Sequence, residues 1–326
     1  MTFKLSFPIK YLIYSIAIFS VVFISSCSED DDIPLQSKTF QYALHNGQTV
    51  PSAPYAGVHM PNLPVTLLLE ELENGNTNIT VTIQNTMDGE TYHIHAHDAA
   101  DTASTPNGTP YNESPNGDVL TQALMGNGGT VSISQEAKKS FGELTSSYEG
   151  FFVIHDPLQS ISTTDISTFV VVGSFARDQA MVNYSSSIFQ YSFNTGQLVS
   201  SFAYIGTHNN SLSASIRVDE LAENKSRITV HIMNSMNGET YHTHAHDVAD
   251  PATTPNGTPY NESPNADVFV VPIEGNGETS AAVAISPKSH DEITSTYDGF
   301  FVIHDPLQTI TTVDPTTYII LGSFAR

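Results

Sequence analysis

Tyr92-His93-Ile94-His95-Ala96-His97-Asp98 returns 149 residues later as Tyr241-His242-Thr243-His244-Ala245-His246-Asp247. Histidines at every second position of an extended segment leave from one face, because side chains alternate along a strand. Imidazole nitrogen is a good donor to copper, zinc, iron and nickel. Each heptapeptide therefore reads either as the solvated polar face of a strand or as one wall of a metal site.

The repeat reaches far beyond these residues. Tyr42 matches Tyr191, Gly47-Gln48 matches Gly196-Gln197, and Tyr55 matches Tyr204 at the same spacing. Phe151 to Gln159 recurs as Phe300 to Gln308, and Gly173 to Arg177 as Gly322 to Arg326. A gapless offset of this length is a tandem duplication of a whole domain, since solenoid units are far shorter. The copies are expected over residues 39–177 and 189–326, joined by a linker at 178–188 that contains Ser185-Ser186-Ser187.

Within a copy the pattern predicts strands. Val65–Leu69 and Ile79–Ile83 are rich in β-branched and apolar residues and are separated by Glu73-Asn74-Gly75-Asn76, a hairpin-type turn. Tyr92–His97, Val131–Ser134, Gly150–His155 and Phe169–Phe175 add further strands, and no stretch carries a helical apolar stripe. The expected fold class is all-β, two tandem Greek-key barrels or sandwiches. No phosphate-binding loop, dinucleotide fingerprint or nucleophile elbow is present in the sequence.

Of 13 histidines, ten form five matched pairs: 59/208, 93/242, 95/244, 97/246 and 155/304. His155 ends the apolar run Phe151–Ile154 and precedes Asp156-Pro157, where the chain must turn. From a strand end it can meet His93 and His95 of a neighbouring strand. The candidate ligands are His93, His95 and His155, with His242, His244 and His304 in the second copy. His97 and His246, His59 and His208, and Asp98 and Asp247 are candidates for additional ligands or for groups that orient a ligating imidazole. Asp156 reads more readily as a turn-forming residue. The loop Thr105 to Asn116 returns unchanged as Thr254 to Asn265, directly after the histidines. It is expected to form a lid, structural or chemical, with Tyr111, Glu113, Tyr260 and Glu262 as its reactive members.

Residues 1–26 have the plan of a secretory signal: Lys4 and Lys10, an apolar Tyr11 to Ile24, then small residues before the only cysteine, Cys27. The junction resembles a bacterial lipobox, which implies lipidation of Cys27 and attachment to a membrane; a single transmembrane anchor is the rival reading. Residues 27–38, with Glu29-Asp30-Asp31-Asp32, then form an acidic tether. This run resembles the export signal of surface-exposed lipoproteins, so the outer face of the outer membrane is expected, with a periplasm-facing position as the alternative. The formal net charge of −23 argues against nucleic acid as a partner.

In order along each copy, three segments resemble the copper/zinc superoxide dismutase-like family. Gly89 to His95 is similar to its Gly-x-x-aromatic-His-Val-His strand, and Phe152 to Asp156 to its later Val-Val-His-Glu segment. Val171 to Ala176 is similar to its closing strand. The resemblance implies a Greek-key barrel with copper on the three candidate histidines of each copy. It also implies loss of the zinc site, because no histidine lies between His97 and His155, and Pro110 to Pro115 replaces the family's His-Phe-Asn-Pro run. The family's disulfide cannot form, and its superoxide-guiding arginine has no counterpart before the last strand. A shorter chordin-type domain, which also carries a His-Ile-His strand, is similar over less of the chain. The expected function is copper binding, and its enzymatic version is the dismutation of superoxide. The alternative is a structural or adhesive surface lipoprotein without metal chemistry.

Overall fold

A computed structural model describes residues 34–179 and 182–326. The signal segment, Cys27 and the acidic run after it lie outside the described residues. Seventeen strands form four antiparallel sheets, and helix is limited among the described residues to short turns of three to five residues.

In the first copy, β1 (Ser37–Tyr42), β2 (Val65–Glu71), β3 (Thr77–Ile83), β4 (Thr91–Asp98) and β5 (Thr121–Met125) come first along the chain. They are followed by β6 (Val131–Ala137), β7 (Gly150–His155) and β8 (Phe169–Ser174). One sheet has the order β1-β2-β3-β6 and the other β5-β4-β7-β8. Because β6 returns beside β3 after β4 and β5 have crossed to the opposite sheet, the connection is a Greek key.

The second copy repeats the plan. Its strands are β9 (Ser186–Ser192), β10 (Ser213–Glu220), β11 (Ser226–Met233), β12 (Thr240–Val248) and β13 (Tyr260–Pro264). β14 (Val270–Glu274), β15 (Thr279–Ser286), β16 (Gly299–His304) and β17 (Tyr318–Ser323) complete it. β9, β10, β11 and β15 make one sheet, and β12 pairs with β13, β14 and β16 in the other. β13 has no strand counterpart in the first copy, where a single bridge joins Ala99 to Tyr111.

Alternation explains the packing. Along β2 and β3 every second residue is fully buried, with Val65, Leu67 and Leu69 facing Ile79, Val81 and Ile83 across matched rungs. The two strands turn through Gly75, whose φ of +84° suits a residue without Cβ. Their inner faces meet Tyr92, Ile94 and Ala96 of β4 and Phe152 and Ile154 of β7 in one core. Tyr42 then ties β1 to β8 by donating to the Ser174 carbonyl at 2.8 Å.

The sequence pattern did not mark β1 or β5. β5, Thr-Gln-Ala-Leu-Met, is a short edge strand with no fully buried residue, so it lacks the apolar signal. The linker also proves shorter than expected, since β9 begins at Ser186. Both copies belong to one compact unit, Leu35–Arg326. The outer face of β10 and β11 packs on the first copy: the Arg227 guanidinium, fully buried, donates to the Tyr55 carbonyl and to Asn46 Oδ1, both at 3.1 Å.

Candidate metal centre

β4 divides its residues between two environments. Tyr92, Ile94 and Ala96 enter the core between the sheets, while His93, His95 and His97 leave from the opposite face. Register then places His95 opposite Val153 of β7 and His97 opposite Phe151, so His155 sits diagonally across from His95. A bulge after Ile154 pairs His155 with Phe169 of β8. Tyr111, Val153, Ile166, Phe169 and Val172 form a small apolar cluster on this outer face, and the histidines are packed into its edge.

The His95 and His155 rings lie 5.1 Å apart between centroids, and His95 and His97 5.8 Å. In the second copy His244 is 4.9 Å from His304 and 4.6 Å from His246, and the Nε2 atoms of His244 and His304 approach to 3.3 Å. His93 is half-buried at the rim and His242 is exposed. Among the described residues, no three side chains of His, Cys, Asp or Glu stand close enough together to hold an ion as they are. The buried histidines meet ring to ring, with His95 or His244 between the other two, and His93 or His242 stands at the rim.

Several of these nitrogens are without partners. His95 Nδ1, both ring nitrogens of His155, and His97 Nε2 are buried and make no hydrogen bond. A buried imidazole nitrogen left unpaired costs free energy, typically about 1–3 kcal/mol. Burial first, and neighbouring histidines second, favour the neutral ring: together they lower the pKa of His95 and of His304 to about 4 and that of His155 to about 3. Neutral imidazole is the form that binds a metal. His97 is oriented as ligating histidines commonly are: its Nδ1 donates to the Asn112 carbonyl at 2.8 Å, which leaves the Nε2 lone pair facing inward. The residues present therefore suit an ion held by imidazoles.

The matched loop covers this face. Tyr111 is fully buried, its ring 5.0 Å from His97 and packed on Phe151 and Phe169, and its hydroxyl donates to the Thr163 carbonyl at 3.2 Å. Tyr260 packs in the same way on His246, Phe300 and Tyr318. Both tyrosines act as plugs, and burial raises their pKa, which keeps the phenols protonated. Glu113 Oε1 is buried without a partner, whereas Glu262 lies 3.5 Å from the Thr258 hydroxyl.

No protein-family model matches this chain, and no curated protein matches it.

Other candidates occupy different places. His59 lies on the core side of β4, with Nε2 bonded to the Tyr92 hydroxyl at 2.8 Å and Nδ1 to the Met60 carbonyl at 2.9 Å. His208 repeats this with Tyr241 and Asn209. Both nitrogens of each ring are spent, so these two histidines hold a loop to the core. Asp98 follows the core-facing alternation and accepts from Asn116 Nδ2 at 2.7 Å and the Tyr148 hydroxyl at 2.9 Å. Asp247 does the same with Asn265 and Tyr297. Neither carboxylate reaches a histidine of the cluster, because strand alternation turns it to the other face. Asp156 accepts from Tyr55, Gln159 and the Leu158 amide, as a turn-forming residue would. Phe169 and its counterpart Tyr318, 4.5 and 4.7 Å from His155 and His304, were not singled out in the sequence. Their one signal is the rung they share with each histidine, which only the bulge creates.

Proposed function

We propose that the protein binds copper through its strand-borne histidines, one ion in each copy. The observation that carries this reading is the 3.3 Å separation of His244 Nε2 and His304 Nε2. Two nitrogens bound at about 2.0–2.1 Å to one ion at a tetrahedral angle stand about 3.3–3.4 Å apart. His95 and His155 are the corresponding pair in the first copy. His93 and His242 at the rim, or His97 and His246 beneath the lid, would supply further nitrogens after a side-chain rotation. An imidazole set favours copper over the other divalent first-row metals by intrinsic affinity, and copper would supply one-electron redox chemistry when bound. The order of motifs that resembles the superoxide dismutase-like family supports the same metal.

Binding is favoured over turnover, because the acidic surface opposes the approach of an anion such as superoxide. Export as an outer-membrane lipoprotein anchored at Cys27 and exposed on the cell surface belongs to the same reading. Labelled fatty acid should enter the wild-type chain and not Cys27→Ser.

A second reading has its own support. His155 packs edge-on against Phe169 at 4.5 Å, as an aromatic core residue would, and the histidines could serve packing alone in a structural surface protein. Elemental analysis and copper(II) titration of the exported chain, purified without chelator, decide between them. About two tightly held copper ions per chain, halved by His95→Ala and abolished by His95→Ala with His244→Ala, is the expected result. No stoichiometric copper would leave the packing reading standing. Superoxide turnover far above that of free copper would move the reading from binding to catalysis.

A further inference from the structure

The face of β10 and β11 turned towards the first copy carries three buried charges. Arg227 is fully buried, and Arg217 and Asp219 are 4% and 3% exposed. Asp219 Oδ2 accepts from Arg217 Nε at 2.9 Å and from Arg227 NH2 at 3.3 Å, and Oδ1 accepts from the Ser186 hydroxyl at 2.7 Å. Both carboxylate oxygens are therefore engaged. The remaining Arg227 donors find the Tyr55 carbonyl and Asn46.

Arg217 is left incomplete. Its NH2 is buried and has no acceptor among the described residues, and NH1 reaches only the Met60 sulfur at 3.9 Å. Thr229 is directly opposite Arg217 in the β10–β11 ladder, and its hydroxyl is also buried without a partner. Cross-strand partners project from the same face of the ladder, so a small group lying on that face is within reach of both side chains.

That group must accept hydrogen bonds, since a guanidinium only donates and the threonine hydroxyl has its proton free. Asp219 is engaged through both oxygens, so a water there would satisfy the two donors but find few acceptors for its own protons. The two guanidinium groups share one carboxylate as a direct partner, because Asp156, the next buried carboxylate, bonds to Tyr55 and Gln159 instead. A small anion satisfies the free donors and pairs directly with the Arg217 guanidinium. Burial lowers the pKa of His59 and His231, which adjoin this face, and the Arg217 charge acts in the same direction; at His59 the Met60 carbonyl and the Asp156 charge oppose it.

We propose that a monovalent anion of halide size binds at Arg217 and Thr229, on the face of the second copy that meets the first. The first copy cannot form this site: the positions matching Arg217, Asp219 and Arg227 are Leu68, Glu70 and Asn78. The inference is independent of the metal reading.

The test is the thermal midpoint of the full exported chain in chloride, bromide and fluoride at fixed ionic strength, with Arg217→Leu and Thr229→Val as variants. Leucine is the residue the first copy carries at that position. A ligand bound only by the folded state raises the midpoint with the logarithm of its concentration once above Kd. The wild type should show such a rise with chloride and bromide, well above that with fluoride, and both variants should lose the difference. Crystals grown in bromide should place an anomalous peak beside Arg217, which tests the site even if a variant fails to fold. A midpoint indifferent to the anion, an equal response in the variants, or no bromide peak would each overturn the proposal and leave water as the occupant.

Discussion

The two copies share a register across eight strands, yet they differ in character where one meets the other. On the outer face of β2 and β3 the first copy carries half-exposed Leu68, Glu70 and Asn78, with hydroxyl ladders such as Thr80 to Ser134 at 2.8 Å. On the matching face of β10 and β11 the second copy buries Arg217, Asp219 and Arg227 against Asn46 and Tyr55. The histidine faces changed far less. All five histidine pairs and the twelve-residue lid persist. A shared backbone thus tolerates rewriting wherever its surroundings differ. It keeps what each copy needs for itself: the core, the cover over the histidines, and the histidines.

The sharpest way to break this contrast is at the interface. Arg227→Ala should cost about 3–5 kcal/mol in urea unfolding, because it leaves Asp219 buried with one partner fewer. Asn78→Ala at the matching position should fall within about 0.5 kcal/mol, as surface changes do. Equal effects would mean that the copies do not dock through this face.

The next largest effect concerns pH. His45 is buried with its Nε2 bonded to the Ala53 carbonyl, and burial lowers its pKa from 6.5 to about 4. The folded state therefore binds fewer protons than the unfolded chain between those values, and stability falls as pH drops from about 6.5 to 4. The second copy uses Asn194 there, which donates to the Phe202 and Tyr318 carbonyls and does not titrate. His45→Asn should remove about 3 kcal/mol of acid sensitivity, measured as unfolding free energy against pH. An unchanged slope would place the acid sensitivity in the other buried histidines.

The smallest predicted effect lies beside the candidate metal centre. Tyr318 carries a buried hydroxyl that has the Tyr260 phenol beside it but no hydrogen bond of ordinary geometry, where the first copy has Phe169. Tyr318→Phe should stabilise the metal-free protein by about 1 kcal/mol, and Phe169→Tyr should destabilise it by a similar amount. A loss on Tyr318→Phe would show that this hydroxyl is satisfied in solution.

Much of the fold was legible in the sequence because the duplication exposes it. β2, β3, β4 and β7 follow from alternation and β-branched content, and their partners from the constant offset. β5 was not legible, since a short edge strand buries too little to leave an apolar pattern. At the site, alternation put His93, His95 and His97 on one face. That alone could not rank them, and the structure draws His95 and His97 into the packed cluster while His93 stays at the rim. Alternation equally carried Asp98 away from them, which its position right after His97 conceals.

The sequence by itself determined the class of fold, its duplication, the strand that bears the histidines and the loop that follows it. These are local or periodic properties, written in residues close along the chain. Only the tertiary structure decided which nitrogens meet, because the ladders from β4 to β7 and from β12 to β16 bring together residues 60 apart. Only it turned Arg217 and Arg227 from apparent surface charges into buried ones. A charge on a strand looks the same in sequence whether water or a second domain lies against it.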